Sequence, residues 1–460
     1  MLDLVRRNAA FFAIALAAGL LLRVVFLLYF PSVVNDSFIY GDIAKNWLQH
    51  GVYGVTEAGR IVPTYIRLPG YPAFLALFFL VFGLEHYRAV LILQVCVDLG
   101  TCLLCASIAL RLLNERSAKT AFLLAAMCPF LANYSAAALT ETLEVFFTAL
   151  AFDAALRGLG NNTLGDWVLC GLACSAAILL RPDGAVLPLV IVLYLLWCAL
   201  FPAAMSATRA QLVRTAVLVG VIAVVPLIPW TIRNWHVFHR FQPLAPRYAN
   251  EEAEFVPMGF NHWVKTWIVD YASTEEIYWA VPGNPMDVQQ LPKRAFDNED
   301  QREATERLLD DYNQVLHLTP ALDQRFETLA RQRIGTHPIR TYVALPILRS
   351  LDMWLRPRTE ILPSDTRWWE FNDDPKWSAL AVSLGAIGLF YWLCGLVGWL
   401  RLLPVAGSGP LLLFVVARSA FLGTLENPEP RYTLEMYPLL IVFAAVPLAQ
   451  LREHFAGSED

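Results

Sequence analysis

The chain has 460 residues, of which 57% are hydrophobic and only 16% are charged. Soluble globular domains are roughly 45–50% apolar with about a quarter of their residues charged, so this composition excludes an ordinary soluble protein. The formal net charge of −5 gives no basis for nucleic-acid binding.

The apolar residues occur in blocks of roughly 17–25, the length that a helix needs to cross a hydrocarbon core about 30 Å thick. The blocks predict about ten membrane spans, at roughly 9–30, 88–112, 120–136, 140–156, 166–181, 184–201, 214–230, 377–400, 409–425 and 433–450. A further run, Tyr71 to Gly83, is too short to cross comfortably and predicts an interfacial or re-entrant helix. Without that run, Arg6, Arg111, Arg157 and Arg401 all fall on one side, which the positive-inside rule makes cytoplasmic together with both termini.

This topology divides the chain into three parts. Residues 1–230 form an N-terminal transmembrane catalytic module whose first outer loop covers 31–87. Residues 231–376 form an extracytoplasmic insert, and residues 377–460 return the chain to the membrane. The predicted fold class is an all-α polytopic membrane protein, with interfacial helices in the first outer loop and a largely helical insert.

Polar residues collect at the predicted outer ends of the spans, and ionisable groups in a membrane protein mark functional sites. The residues are Asp36, Tyr40, Asp42, Tyr65, Arg67 and Tyr71 in the first outer loop, Glu141 at the fourth span, Arg181 after the fifth, Arg233 after the seventh, and Arg431 and Tyr432 at the tenth. Carboxylates and guanidiniums at five helix ends on one face predict a cavity for an anionic ligand, with acids available for proton transfer.

Each of these residues also has a structural explanation when it is considered alone. Asp36 and Glu141 could cap the helices that they begin. Arg67, Arg233 and Arg431 could be interface anchors whose long side chains reach the headgroups. The set of residues, rather than any one of them, therefore indicates a site.

Arg23 lies inside the first span and is predicted to pair with a neighbouring helix. The eight histidines are scattered without the spacing of a zinc site. We therefore predict no cofactor, and a divalent metal stays open.

Six motifs follow one another in a fixed order. They are D-x-x-x-Y (Asp36, Tyr40), R-x-P-G-Y-P (Arg67–Pro72), L-T-E-T-L (Leu139–Leu143), L-R-P-D-G (Leu180–Gly184), P-W-T-I-R-N (Pro229–Asn234) and E-P-R-Y (Glu429–Tyr432). This order resembles the GT-C fold glycosyltransferases, in the branch of the protein O-mannosyltransferases, the lipid A aminoarabinose transferase and the RgtA-like enzymes. The chain departs from many relatives at one point, because Asp36 is followed by Ser37 where they have Asp-Glu.

The resemblance implies transfer of one sugar from a polyprenyl-phosphate carrier to an extracytoplasmic glycan, lipid or protein, with inversion. An enzyme that faces outward has no nucleotide sugars, so its donor has to arrive through the membrane on a lipid. Arginine suits the lipid phosphate because its planar group binds phosphate oxygens in pairs. The resemblance implies that Asp36 is the base and that Glu141 orients the acceptor or the sugar. Donor-phosphate binding is implied for Arg67, Arg233, Arg431 and, more weakly, Arg181. The implied pocket walls are Tyr40, Asp42, Tyr65, Tyr71 and Tyr432.

Other functions fit the same topology. A polymerase or ligase would use a lipid-linked oligosaccharide as donor, and a non-catalytic relative would only bind the lipid-linked sugar. A transporter or flippase would more often show an internal repeat and broken helices near the bilayer midplane, neither of which the sequence indicates. Every alternative places a multi-pass protein in the plasma membrane, and the transferase has its active site facing outward.

Overall fold

A computed structural model describes residues 1–201, 207–251, 254–372 and 374–456, with side chains described up to residue 451. The described chain is mostly helical, which confirms the predicted fold class. It separates into two compact units: unit 1 comprises 1–252, 390–415 and 434–460, and unit 2 comprises 253–389 and 416–433. The predicted boundaries at 230 and 376 separate segments by the side of the membrane on which they lie, whereas these units are separated by their contacts. The predicted boundaries therefore stay a prediction.

The first twelve helices belong to unit 1. They are α1 (Leu2–Arg7), α2 (Ala9–Tyr29), α3 (Asn35–His50), α4 (Gly70–Phe82), α5 (Tyr87–Leu112), α6 (Glu115–Ala126), α7 (Pro129–Ser135), α8 (Glu141–Asn161), α9 (Leu164–Leu180), α10 (Val186–Leu200), α11 (Arg209–Val224) and α12 (Leu227–Phe238).

The remaining helices complete both units. They are α13 (Met258–Lys265), α14 (Tyr271–Ser273), α15 (Glu299–Val315), α16 (Pro320–Thr336), α17 (Leu345–Leu355), α18 (Pro375–Leu402), α19 (Gly409–Gly423) and α20 (Tyr437–Ala456).

Six helical segments within the described chain are long and apolar enough to cross a membrane. They are Ala9–Tyr29, Tyr87–Leu112, Pro182–Leu200, Arg209–Phe238, Pro375–Leu402 and Pro430–Leu451. Helices α9 and α19 are apolar but shorter. The predicted count of about ten spans is therefore not confirmed.

Local features of the chain explain why the number of membrane-crossing helices differs from the predicted ten. The predicted span at 120–136 is two helices, because the chain breaks after α6 and Pro129 begins α7. Helix α8 is 21 residues long but carries charged side chains such as Glu144 and Asp153. Helix α4 is a helix of 13 residues, as the sequence predicts, and spans only about 20 Å at 1.5 Å per residue.

The first outer loop contains helix α3, which confirms the predicted helix there, and a β-hairpin that the sequence analysis missed. Strand β1 (Gly54–Glu57) pairs antiparallel with β2 (Arg60–Pro63), with Val55 opposite Val62. Ala58 and Gly59 connect the strands, both at positive φ as a tight hairpin turn requires.

Unit 1 contains a buried ion pair between two membrane helices. Arg23 of α2 donates from Nε to Asp98 Oδ2 of α5 at 2.6 Å, and the two side chains are 0% and 2% exposed. One of its terminal nitrogens, Nη1, donates to the carbonyls of both Gly19 and Ala126, at 2.8 and 2.7 Å. The prediction that Arg23 pairs with a neighbouring helix is confirmed.

Unit 2 has its own hydrophobic core, built from α13, α15 and α16. Trp263, Trp267, Tyr312 and Phe326 are each completely buried in it. Because this core is closed on its own residues, unit 2 has the organisation of an independently packed domain.

Candidate active site

The candidate site lies in unit 1, where α3, the segment before α4, the start of α8 and the end of α9 carry the predicted residues. Two backbone hydrogen bonds connect the first loop to the segment before α8. Ser32 N–H donates to Ala136 O and Ala138 N–H donates to Ser32 O, both at 2.9 Å. These bonds fix the loop that begins near Asp36 beside the turn that leads to Glu141.

Asp36 lies in the first turn of α3 and pairs with Arg67. Arg67 Nη2 donates to Asp36 Oδ1 at 3.0 Å, and the two side chains are 19% and 31% exposed. The residue in the N-cap position is Val34, whose N–H donates to Ser37 Oγ at 3.1 Å. Ser37 therefore serves the helix start, at the position where many relatives of the GT-C branch have a second acid.

Tyr40 lies one turn further along α3 and contacts Arg67. Its ring lies 5.7 Å from the Arg67 guanidinium carbon and packs edge-on against Tyr71 at 5.0 Å. Burial raises the pKa of Tyr40 to about 12; Arg67 and Arg181 lower it and Asp36 and Glu141 raise it. The Tyr40 hydroxyl therefore stays protonated at neutral pH.

The second charged group is formed where α8 begins and α9 ends. Arg181 Nη1 lies 3.9 Å from Glu141 Oε1. Arg181 Nε lies 3.5 Å from Glu144 Oε1 and 3.2 Å from Asp183 Oδ1. Glu141 and Glu144 are both more than nine-tenths buried, whereas Arg181 is 21% exposed. One arginine therefore faces three carboxylates, with its side chain at the surface of the group.

Tyr71 is completely buried and starts a chain of hydrogen bonds. Its hydroxyl donates to Gln94 Oε1 at 2.8 Å, and Gln94 Nε2 donates to Ala137 O at 2.6 Å. The chain ends in the same turn that precedes Glu141, so Tyr71 and α5 support this end of the site.

Arg233, predicted to bind phosphate, makes contacts to the first loop. It donates to Thr64 O at 2.7 Å and to Tyr53 O at 2.6 Å. The rings of Tyr53, Trp230 and Phe238 lie 5.1–5.2 Å from its guanidinium carbon. These contacts favour a role in holding the loop, and the phosphate role stays a prediction.

Two predicted pocket residues also stabilise the loop. Asp42 accepts from Thr56 N–H at 2.5 Å and from Thr56 Oγ1 at 3.0 Å, which fastens β1 to α3. Tyr65 is buried and packs edge-on against Phe238 at 4.7 Å. Neither observation tests their predicted place in a pocket.

Arg431 and Tyr432 belong to unit 2, so they are described by themselves. Arg431 Nε lies 2.5 Å from Glu429 Oε2, and its guanidinium lies 5.6 Å from the Tyr432 ring. The Tyr432 hydroxyl donates to the same carboxylate. The E-P-R-Y motif is thus an internally bonded unit, and the roles predicted for it stay predictions.

Sequence reasoning missed two residues of the site. Glu144 follows Glu141 by three positions, a spacing that puts both acids on one face of α8, so the helix period could have found it. Gln94 is a polar residue inside an apolar span, which is itself a functional signal. No group of three or more His, Cys, Asp or Glu residues suited to a metal occurs in the described chain.

Comparison with known proteins adds three findings. Residues 64–230 match the family described as dolichyl-phosphate-mannose-protein mannosyltransferase. The archaeal oligosaccharyltransferase AglB from Archaeoglobus fulgidus, in complex with an inhibitory peptide and a dolichol-phosphate, matches at TM-score 0.54 and 14% identity, over 97% of this chain and 50% of that one. ArnT from Cupriavidus metallidurans bound to undecaprenyl phosphate matches at TM-score 0.41 and 16% identity, over 94% and 78%. No curated protein matches the chain.

These findings define the fold of the protein. At such identities the likeness to the archaeal enzyme shows the fold alone, and this chain spans about half the length of that enzyme. The predicted GT-C fold of a multi-pass membrane protein is confirmed, and its activity is taken up below as a proposal. The family match covers the segment that contains Arg67, Tyr71, Glu141 and Arg181.

Proposed function

We propose that the protein transfers a single sugar from a polyprenyl-phosphate donor to an extracytoplasmic acceptor. One observation carries the proposal: the segment of Arg67, which pairs with Asp36 at 3.0 Å, packs through Gly70 against the end of α9, which leads to Arg181 beside Glu141. The carboxylates and guanidiniums of these adjoining segments supply the groups that glycosyl transfer from a phosphate needs, a base for the acceptor and cations for the leaving group.

Arg67 and Arg181 are the best placed cations for the donor phosphate. Each has a partly exposed side chain, 19% and 21%, and each already faces carboxylates that orient it. As the bond between the sugar and the phosphate breaks, negative charge develops on the phosphate. Guanidinium groups stabilise this charge through paired hydrogen bonds.

Asp36 is the proposed base. The acceptor hydroxyl attacks the anomeric carbon, its proton passes to the Asp36 carboxylate, and the polyprenyl phosphate leaves with the bonding electron pair. One displacement inverts the configuration, as in the inverting arrangement of an acid and a base on opposite faces of a sugar. Glu141 would orient the sugar or the acceptor, with Arg181 holding it in place.

The family that residues 64–230 match favours a single sugar over an oligosaccharide. Its name refers to dolichyl-phosphate-mannose, which is one sugar on a polyprenyl phosphate. The fold likeness to an oligosaccharyltransferase keeps an oligosaccharide polymerase or ligase as the alternative donor class. The positive-inside arrangement of the arginines supports an outward-facing site in the plasma membrane.

The test is transfer from radiolabelled polyprenyl-phosphate sugars by the purified full chain in liposomes. We expect turnover with at least one donor, and a loss of at least about 1,000-fold in Asp36→Asn, which keeps the shape and the bond to Arg67 but removes the base. Glu57→Gln is the matched control, because Glu57 is an exposed acid of the same outer loop and lies outside the proposed site. It should keep turnover within a few-fold of the wild type.

The outcomes separate the hypotheses. Full turnover in Asp36→Asn would reject this residue as the base. Turnover only with lipid-linked oligosaccharides would favour the polymerase or ligase. Movement of an intact donor across the bilayer without transfer would replace the enzyme hypothesis with a flippase.

A further inference from the structure

A second cavity lies in unit 1 at the other end of α8. It has a volume of about 280 Å³ and apolar walls from Leu112 of α5, Leu156 and Leu159 of α8, and Leu212 of α11. Helix α8 is 21 residues long, so this cavity lies about 30 Å along the helix from Glu141. In the predicted topology α8 begins at the outer face, so the cavity lies at the predicted cytoplasmic end of this helix.

Two hydrogen-bond donors in the wall of the cavity lack a full set of acceptors. Arg111 donates from Nε to Asp153 at 3.0 Å, and its two terminal nitrogens donate to no other described side chain or carbonyl. Its side chain is 32% exposed. Trp167 is 3% exposed, and its indole N–H has no hydrogen-bond partner among the described residues.

These donors predict the chemistry of the ligand. A buried N–H without an acceptor is unfavourable, so an acceptor ligand gains from meeting it. A guanidinium beside an indole N–H suits an anion with several oxygens, and phosphate is the group that arginine binds in pairs. The leucine walls suit the glycerol and the first methylenes of acyl chains rather than a hydrated soluble ion.

The surroundings carry the charge that an anionic lipid requires. Arg116 and Lys119 near the start of α6, and Arg209 and Arg214 near the start of α11, lie at the end of the bundle that the positive-inside rule assigns to the cytoplasm. Basic pockets between membrane helices on that side bind anionic headgroups. We propose that the cavity binds the phosphate headgroup of an anionic membrane lipid, with Arg111 and Trp167 as donors.

The site is independent of the proposed transfer reaction, and so is its test. Native mass spectrometry of the purified full chain counts bound lipid after addition of phosphatidylglycerol, with phosphatidylcholine and polyprenyl phosphate in parallel samples. Arg111→Gln should weaken phosphatidylglycerol binding by about tenfold or more, because a charge-assisted bond is lost. Gly160→Leu should do the same by filling the space.

Gly160 is a suitable position for testing whether a larger side chain blocks lipid binding. Gly160 lines the cavity in the last turn of α8, and an added Cβ would meet nothing within 4 Å, so a larger side chain fits there without moving the backbone. Gly165 is the matched control, since it is also open but does not line the cavity. Gly165→Leu should bind phosphatidylglycerol as the wild type does.

The result can overturn the proposal in three ways. Equal binding of phosphatidylglycerol by the wild type and by both cavity variants would reject the site. Equal binding of phosphatidylcholine would reject the phosphate-centred recognition of an anionic lipid. Displacement of the lipid by millimolar inorganic phosphate would replace a lipid site with a soluble-anion site, whereas selective binding of polyprenyl phosphate would assign the cavity to the carrier lipid.

Discussion

Gly70 connects the two charged groups of the candidate site, and its replacement by alanine tests that connection. It lies at the start of α4, three residues after Arg67, and the end of α9 passes directly over it. A Cβ at Gly70 would lie 2.5 Å from Leu179 O and 2.9 Å from Leu180 N. Those two residues immediately precede Arg181, so a glycine at this position lets the Arg67 segment approach Arg181.

The size of the effect follows from the geometry. Ordinary contact of a Cβ begins at 3.4 Å, and both opposing atoms are backbone, so the α4 start and the α9 end must separate by roughly 1 Å. Overpacking of this kind costs about 1–3 kcal/mol. A misplacement of about 1 Å in an active site costs about 100-fold in rate. We therefore expect Gly70→Ala to lower turnover about 10- to 100-fold and the thermal midpoint by a few degrees.

The assay is donor turnover in liposomes beside thermal unfolding of the same preparations. Gly165→Ala is the matched control, because this α9 glycine has no atom within 4 Å of an added Cβ. Its turnover should equal that of the wild type. Wild-type turnover and stability in Gly70→Ala would refute the contact between α4 and α9 as the device that brings the two charged groups together.

Two further predictions concern buried charges. Arg23→Met leaves Asp98 buried without its partner and should lower the free energy of unfolding by about 3–5 kcal/mol. The double variant Arg23→Met with Asp98→Leu should recover most of this loss. A double variant that is no more stable than Arg23→Met in thermal unfolding would contradict the prediction. Burial raises the pKa of Asp352 in unit 2 to about 6, with Arg356 opposing the shift and Asp270 adding to it. Because the folded carboxyl keeps its proton above the unfolded pKa of about 3.8, wild-type stability should fall as pH rises from about 4 to about 6, and Asp352→Asn should remove that slope. Parallel thermal midpoints of the two proteins across this range would disprove the shift.

The sequence predicts helices well where period and length decide, and less well where local contacts decide. The helix at Gly70–Phe82, the first-loop helix and the buried pairing of Arg23 follow from apolar pattern and charge placement. The hairpin at 54–63 was not predicted, because its strands are four residues long and its Ala-Gly turn is a weaker sequence signal than Asn-Gly. The break at Met127 was likewise hidden within one continuous apolar block.

The predicted site residues fall into two groups, those that bond to other charged side chains and those that bond to the backbone. Asp36 pairs with Arg67, and Arg181 lies beside Glu141. Arg233 instead donates to two backbone carbonyls, which no sequence pattern reveals because every residue type supplies a carbonyl.

Arg181 has a larger place in the site than the sequence gives it. Read along the chain, its R-P-D turn is a loop between two spans, and Asp183 is its obvious partner. The fold adds Glu141 and Glu144 from α8, so three acids surround one cation. Such a group has an excess of negative charge that a second cation or a proton must balance, whereas a phosphate alone would increase the excess. A donor phosphate that binds Arg181 would therefore also need a second cation, and Arg67 is the proposed one.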